Sequence, residues 1–419
     1  MALTARYKCP ADLDVKPALL YALKTLVAKH PILSAIPWDV NTTQPYFVRP
    51  RKIENEQAVT FVDYNLPPAD FDWRQSVDRI LEEEHNTPFE ASKSCSTPFW
   101  RLRVLKSEDI PDSFILILVF HHSIMDTKSA LSLHQELEEN LNQYFDSSSS
   151  RDTLFCPDTA LLPSLEDLYE FPISPSFCLS QSTYSEPSSE SWTAAPQAIP
   201  VKTRFSSFLF SESETREIKV MSKLYQSSVT ATLQALIAQS IFVSLPSEYT
   251  ILQGDCAVSL RRFLPMPITC TSLGCYVGSL SVIYHRRQSF DWKEAHRTKA
   301  AIAEAVAGKG RDMQVAYLNC IPDMHAWMKQ KLGKKRMGSF ELSNVGETED
   351  QRADSSVRIE GMLFSQSSSA CSAAIKVSAV TGRDGKLALG FTWQEGIVED
   401  TMIEKIKKAL KREVANWHP

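Results

Sequence analysis

The sequence lacks most of the short motifs that announce a chemistry. No Gly-x-Ser-x-Gly occurs in its 419 residues, which argues against a serine hydrolase built on a nucleophile elbow. No G-x-x-x-x-G-K-[ST] occurs, and Gly308-Lys309-Gly310 is too short a loop to cradle phosphates. The zinc-protease pattern H-E-x-x-H is missing; His134-Gln-Glu-Leu-Glu fails at its last position. The nine cysteines (Cys9, Cys95, Cys156, Cys178, Cys256, Cys270, Cys275, Cys320, Cys371) are odd in number, and none has C-x-x-C spacing. They read as free thiols in a reducing cytosol, with no metal site. Charge of one sign is also missing. The 45 basic and 50 acidic residues leave a net −5, which makes no electrostatic case for nucleic acid or an anionic membrane. The longest clean apolar run, Phe114 to Phe120, is far short of the ~20 residues of a membrane span. The opening Met-Ala-Leu-Thr-Ala-Arg lacks the apolar core of a signal peptide, and the closing Asn-Trp-His-Pro is no peroxisomal or ER address. A cytoplasmic protein is expected.

What remains is an ordinary globular composition, 43% hydrophobic and 23% charged, which rules out disorder as the main state. At ~150 residues per domain the length suits two or three domains, or two large lobes. Residues 15–29 predict an amphipathic helix on the Leu19, Leu20, Leu23, Leu26 and Val27 stripe, ended by His30-Pro31. Tyr46–Val48, Val59–Tyr64 and Phe99–Leu105 predict strands, and Asp72–Glu84 a helix. Ser113–Phe120 is almost continuously apolar and predicts a central strand buried on both faces. A helix over 128–144 follows it.

Residues 146–200 carry thirteen serines and seven prolines. They predict a long connection, partly ordered around Leu161–Phe171 and mobile near Ser180–Ser191. The chain thus divides into a lobe of residues 1–165, a connection of 166–200 and a lobe of 201–419. The second lobe predicts strands at Thr203–Phe210, Ala257–Arg262, Tyr276–Tyr284, Gly338–Leu342, 356–365, 371–381 and 386–393. Its helices are predicted at 214–225, 230–245, 292–307, 313–332 and 399–415. Strands and helices are interspersed in both halves without the regular alternation of one doubly wound sheet, which predicts a mixed α/β fold.

The most informative segment is Phe120-His121-His122-Ser123-Ile124-Met125-Asp126-Thr127. An H-x-x-x-D arises about 0.5 times by chance at this composition, but H-H-x-x-x-D only roughly 0.01 times, so the doubled form is the signal. The pair ends a buried strand and precedes a helix, where a side chain can be held rigidly at a crevice. One reading is a hydrogen-bonded core histidine and a helix-capping Asp126. The chemical reading is a neutral imidazole as general base, taking the proton of an alcohol or amine. Asp126 then holds the turn by pairing with an arginine.

This motif resembles the active-site motif of the chloramphenicol-acetyltransferase-like acyltransferases, which include peptide-synthetase condensation domains and fungal alcohol acetyltransferases. Four more stretches agree in order: Leu23–Leu33 with its His-Pro-Ile-Leu exit, Val258–Arg262, Leu273–Ser279 and Leu389–Gly396. Phe340-Glu-Leu-Ser-Asn-Val-Gly346 looks most like the fungal alcohol-acetyltransferase branch. Thr127 stands where condensation domains carry glycine, and the plant D-F-G-W-G motif is missing.

The resemblance implies a two-lobed fold, each lobe a mixed sheet flanked by helices, with a tunnel between them. It implies an acyl-CoA-dependent O-acyltransferase, most simply an acetyltransferase acting on a small hydroxylated secondary metabolite, as a monomer. Acyl-CoA is then a co-substrate, and no cofactor is permanently bound. His122 matches the general base and Asp126 the structural aspartate. Arg261 or Arg262 is the partner of Asp126, Arg261 being favoured. Ser343 lies where a hydroxyl meets the oxyanion; Asn344 either helps or forms a turn. His121 supports the motif, and Tyr276 and Trp393 are candidates for the channel wall, core packing being favoured for Trp393. The basic run Lys329–Arg336 either contacts CoA phosphates or is a solvated helix end. Two other uses of the fold stay open: a condensation-type enzyme fed by a carrier protein, and a CoA-independent cyclase or ligand binder.

Overall fold

The central strand predicted from its apolar run, Ser113–Phe120, is buried along its whole length. In the computed structural model, which describes residues 1–65, 72–90, 97–144, 153–182, 184–348 and 355–417, it lies in the middle of a five-stranded sheet. The order is Arg358–Ser365, Ala2–Lys8, Ser113–Phe120, Trp100–Lys106 and Val59–Asp63, and only the last pair is parallel. The helices Val15–Lys29 and Thr127–Gln143 pack against each other beside it.

A six-stranded sheet forms the second lobe. Its order is Val277–His285, Ile251–Ser259, Phe340–Glu347, Ile375–Thr381, Leu387–Gln394 and Thr203–Phe210. Phe340–Glu347 is parallel to both neighbours, while the other pairings are antiparallel. The apolar helix Val229–Ser244 is nearly all buried behind this sheet, flanked by Trp292–Ala307 and Asp400–Ala415. A helix apolar on every face is stable in water only when covered this way. The mixed α/β, two-lobed expectation is met.

Several boundaries differ from the sequence expectation, each for a local reason. The 72–84 helix is two pieces, Trp73–Ser76 and Asp78–Asn86, hinged at Val77. The 313–332 helix is Gln314–Leu318 and Met324–Lys329. Pro322 disfavours helix at the residue before it, and Asp323 caps the second piece by accepting from the Ala326 N–H at 2.9 Å. The predicted 257–262 strand runs instead from Ile251 to Ser259, and Arg261–Phe263 form a 3-10 turn. Asn344, one candidate for a turn, lies within continuous strand; Gly346, at φ +95°, sits in an irregularity of its pairing. In the connection, Pro175–Ser182 is helical and Ser191 bridges to Ile251. The Ser147–Ser150 run and Cys95 lie outside the described residues.

The lobes meet closely. Arg358–Ser365 comes from the second half of the sequence, pairs with Ala2–Lys8 and packs across Ile375–Thr381 and Leu387–Gln394. Contact is closest at Gly390, where a Cβ would lie 2.3 Å from the Phe364 carbonyl oxygen and 2.9 Å from the Phe205 ring. Backbone cannot step aside as a flexible side chain can. Gly390→Ala is therefore expected to lower the unfolding free energy by about 1–3 kcal/mol, read from urea melts; an unchanged midpoint contradicts this account of the lobe junction.

Candidate active site

A cavity of about 1100 Å³ lies between the lobes, lined by His122 and Ser123 from one side and by Tyr276 and Ser343 from the other. Its lining includes the exposed Phe47, Leu162, Tyr184, Met328 and Met337.

Its centre is fixed by Asp126. The carboxylate caps the helix Thr127–Gln143 by accepting from the Ser129 N–H at 2.9 Å. Two Arg261 N–H groups donate to its two oxygens at 2.7 and 2.9 Å, and the Tyr276 N–H donates at 3.0 Å. Both members of the pair are buried. Arg261 also donates to the Ser272 carbonyl and the Ser129 hydroxyl, so its charge is well solvated by protein. Arg262 is exposed and takes no part, which decides between the two arginines.

The turn that Asp126 closes presents His122. Its Nδ1 lies 3.1 Å from the Met125 carbonyl oxygen. A carbonyl can only accept, so Nδ1 carries the proton and Nε2 is left basic. Nε2 has no hydrogen-bond partner among the described residues. The ring borders the cavity, and desolvation lowers the imidazole pKa below its ordinary 6.5. The Met125 carbonyl opposes this in part. His122 is thus neutral near pH 7.

His121 points elsewhere. Its ring packs edge-on against Phe99, its Nδ1 accepts from the Ser123 N–H, and burial lowers its pKa to about 4. Cys275 lines the cavity with Sγ 3.7 Å from His122 Nδ1, but burial pushes its thiol up to about 12, so it is no thiolate nucleophile.

Ser343 sits on the Phe340–Glu347 strand, lines the cavity and has no side-chain hydrogen bond among the described residues. Asn344 also borders the cavity, but its amide donates to the Thr230 hydroxyl and its Oδ1 accepts from the Gly346 N–H, both at 3.0 Å. The side chain is committed to shaping the strand. Trp393 is a correction: it is buried in the second-lobe core, donates to Asp400 Oδ1 at 3.1 Å and does not line the cavity. It belongs to a strand buried on both faces, so neither face offers it a passage.

Sequence reading missed four contributors. Ser129 bonds Asp126, Arg261 and Gly274; its only signal is the three-residue capping spacing from Asp126. The Met125 carbonyl, which sets the His122 tautomer, has no side-chain signal at all. Asp255 and Glu341, adjacent in register on the cavity wall, were overlooked as ordinary strand positions.

The pattern that defines the alcohol acetyltransferase family matches residues 72–414. The chain belongs to that family. It is 33% identical to the "probable alcohol acetyltransferase crmB" of Aspergillus fumigatus, over 97% of this chain and 93% of that one. It is 23% identical to the "probable alcohol acetyltransferase FCK4" of Fusarium pseudograminearum, over 88% and 80%. Among solved structures it resembles the TRI3 trichothecene 15-O-acetyltransferase of Fusarium sporotrichioides, at TM-score 0.71 and 12% identity, covering 99% and 90% of the two chains. It also resembles the first condensation domain of the CDA synthetase, at TM-score 0.61 and 13% identity, covering 99% and 90%. At such identities these two likenesses are of fold alone.

The pairing of Asp126 with Arg261 yields a stability prediction. Asp126→Ala strands a buried guanidinium and is expected to cost about 3–5 kcal/mol in urea melts. Arg261→Lys should recover little of it, because an ammonium cannot span both carboxylate oxygens. A melt within 1 kcal/mol of wild type, as an order of magnitude, contradicts the pairing's role.

Proposed function

We propose that this alcohol acetyltransferase moves an acetyl group from acetyl-CoA to a hydroxyl of a small secondary metabolite, with His122 as general base. The observation that carries this reading is the His122 ring, its Nδ1 tied to the Met125 carbonyl and its basic Nε2 unpartnered among the described residues, in a cavity that Ser343 lines from the other side. Nε2 takes the proton of the acceptor hydroxyl as its oxygen forms a bond to the thioester carbon. The carbonyl oxygen of the tetrahedral intermediate becomes negative, and the Ser343 hydroxyl donates to it. When the carbon–sulfur bond breaks, His122 returns the proton to the leaving thiolate. Both substrates meet in one cavity, which replaces a bimolecular encounter by positioning.

The test is acetyl transfer from acetyl-CoA to a panel of hydroxylated metabolites, followed by mass spectrometry. His122→Ala should lower kcat by about 10²–10⁴-fold while the melt is unchanged. Ser343→Ala should lower it by roughly 10²-fold with little change in KM. Full turnover by folded His122→Ala overturns the mechanism. If only a carrier-protein thioester is accepted as donor, the CoA-dependent reading fails.

The pH profile follows from desolvation. Activity needs neutral His122, and burial lowers its pKa below 6.5. Activity is therefore retained through neutral pH and lost only as pH falls through that lowered value. An acid limb in kcat/KM at or above 6.5 assigns the base to another group.

A further inference from the structure

Besides the histidine turn, the cavity wall carries a row of polar side chains. Ser281, Asp255, Glu341 and Lys376 are register neighbours across four adjacent strands, and the first three line the cavity. Oδ1 of Asp255 accepts from the Ser281 hydroxyl at 2.6 Å and from Gln253 Nε2 at 3.3 Å. Its Oδ2 has no donor among the described residues. A Cβ at Gly338 would lie 2.8 Å from that oxygen, so glycine there leaves it uncovered. Glu341 has Lys376 at 3.9 Å, a loose ion pair, whereas Asp255 has none among the described residues. Burial above all, with the Glu341 charge adding to it, pushes the Asp255 carboxyl up to about 6. Lysines that border the cavity are engaged elsewhere: Lys335 with Glu186, Lys331 over the Trp327 ring, and Lys128 on the Val345 carbonyl.

Two unmet acceptors belong to the same wall. Gln197 is 6% exposed and lines the cavity; its Nε2 donates to the Lys335 carbonyl, but its Oε1 has no partner among the described residues. The Ser372 hydroxyl oxygen is likewise buried, unpartnered and on the cavity lining, next in the chain to Ala373, which packs against Gly338. Polar oxygens held away from water are costly until a donor meets them. An alkylammonium brings N–H donors, no acceptor and the positive charge that this row lacks. We propose that the acceptor alcohol of this enzyme carries a protonated amine, seated on Asp255 and Glu341 while its hydroxyl meets His122. The inference rests on the transferase reading above and names the class of its acceptor. Glu341 is two residues from Ser343 on one strand face, roughly 7 Å along the strand, a span that a chain of about four to six carbons covers. An ammonium has no lone pair to attack the thioester, so the product is an ester.

The test offers the whole protein acetyl-CoA with linear amino alcohols, and separately with diols of equal length, and reads CoA release and the acid-quenched product. Wild type should favour the amino alcohols by about ten-fold or more in kcat/KM. Asp255→Asn and Glu341→Gln keep shape and hydrogen bonding but remove charge, and each should bring that ratio to within about three-fold of one. Glu248→Gln, which neutralises an exposed carboxylate outside the cavity, should keep the wild-type ratio. Thermal melts of each variant exclude unfolding as the cause. A wild-type ratio near one, a preference for diols, a preference that survives both substitutions, or an amide in place of the ester overturns the assignment. Calorimetric titration of the amino alcohols without acetyl-CoA separates the two readings. Charge-dependent binding with no transfer to any alcohol sinks the transferase reading alone. Transfer to diols at least as good as to amino alcohols sinks the amine seat alone, and no binding of any amino alcohol by wild type overturns it as well.

Discussion

One buried carboxylate joins the parts of this molecule that must stay in register. Asp126 receives the first turn of Thr127–Gln143, the Arg261 fork from the 3-10 turn after Ile251–Ser259, and the Tyr276 N–H just before Val277–His285. Those groups come from opposite sides of the cavity. An ionised carboxylate away from water is tolerable only when each lone pair is met, so the geometry is all or nothing. His122 is four residues earlier in the same turn, and its place relative to the opposite wall is set by this constraint. Other charged contacts close the junction farther away. Arg74 reaches Asp384 at 2.6 Å, and Arg383 reaches Glu138 at 2.9 Å. These fix the lobes; the Asp126 contact fixes the site.

Division of labour in the motif follows from which group water can reach. Asp126 is spent on three partners and has no lone pair to polarise a ring. Orientation of His122 falls to a backbone carbonyl, which selects a tautomer without adding charge. A carboxylate there would favour imidazolium and hold the base protonated. Desolvation favours the neutral ring, the form able to take a proton, and the Met125 carbonyl opposes it only in part. The first histidine packs edge-on against Phe99, whereas the second lines the cavity.

The sequence made the long, strongly patterned elements legible: Val15–Lys29, Ser113–Phe120, Trp292–Ala307 and Asp400–Ala415 match the residue patterns closely. It also made the histidine motif legible, because H-H-x-x-x-D is too rare to be noise. What it hid were features set by space rather than by residue type. Trp393 has the same aromatic character in a core as on a channel wall; only a strand buried on both faces decides it. The 343–346 stretch looks like a turn by composition, yet parallel pairing with Ile375–Thr381 overrides the local preference. Arg261 and Arg262 are identical in sequence terms, and a one-residue difference in a 3-10 turn buries the first and exposes the second.

The second sheet explains how a cavity can sit against a well-packed core. Along Ile251–Ser259 and Phe340–Glu347 the side chains alternate. Leu252, Cys256, Phe340 and Leu342 are fully buried, whereas Gln253, Asp255, Glu341 and Ser343 line the cavity. The period of two lets one strand hold a hydrophobic face and a polar wall at once. Packing then resides on one face and the cavity lining on the other, so a substitution on the polar face need not disturb the packing behind it. The glycine at 254 marks where that separation is tightest. A Cβ there would meet the Phe340 ring at 2.4 Å, so the helix-facing side is filled to contact while the opposite side stays open.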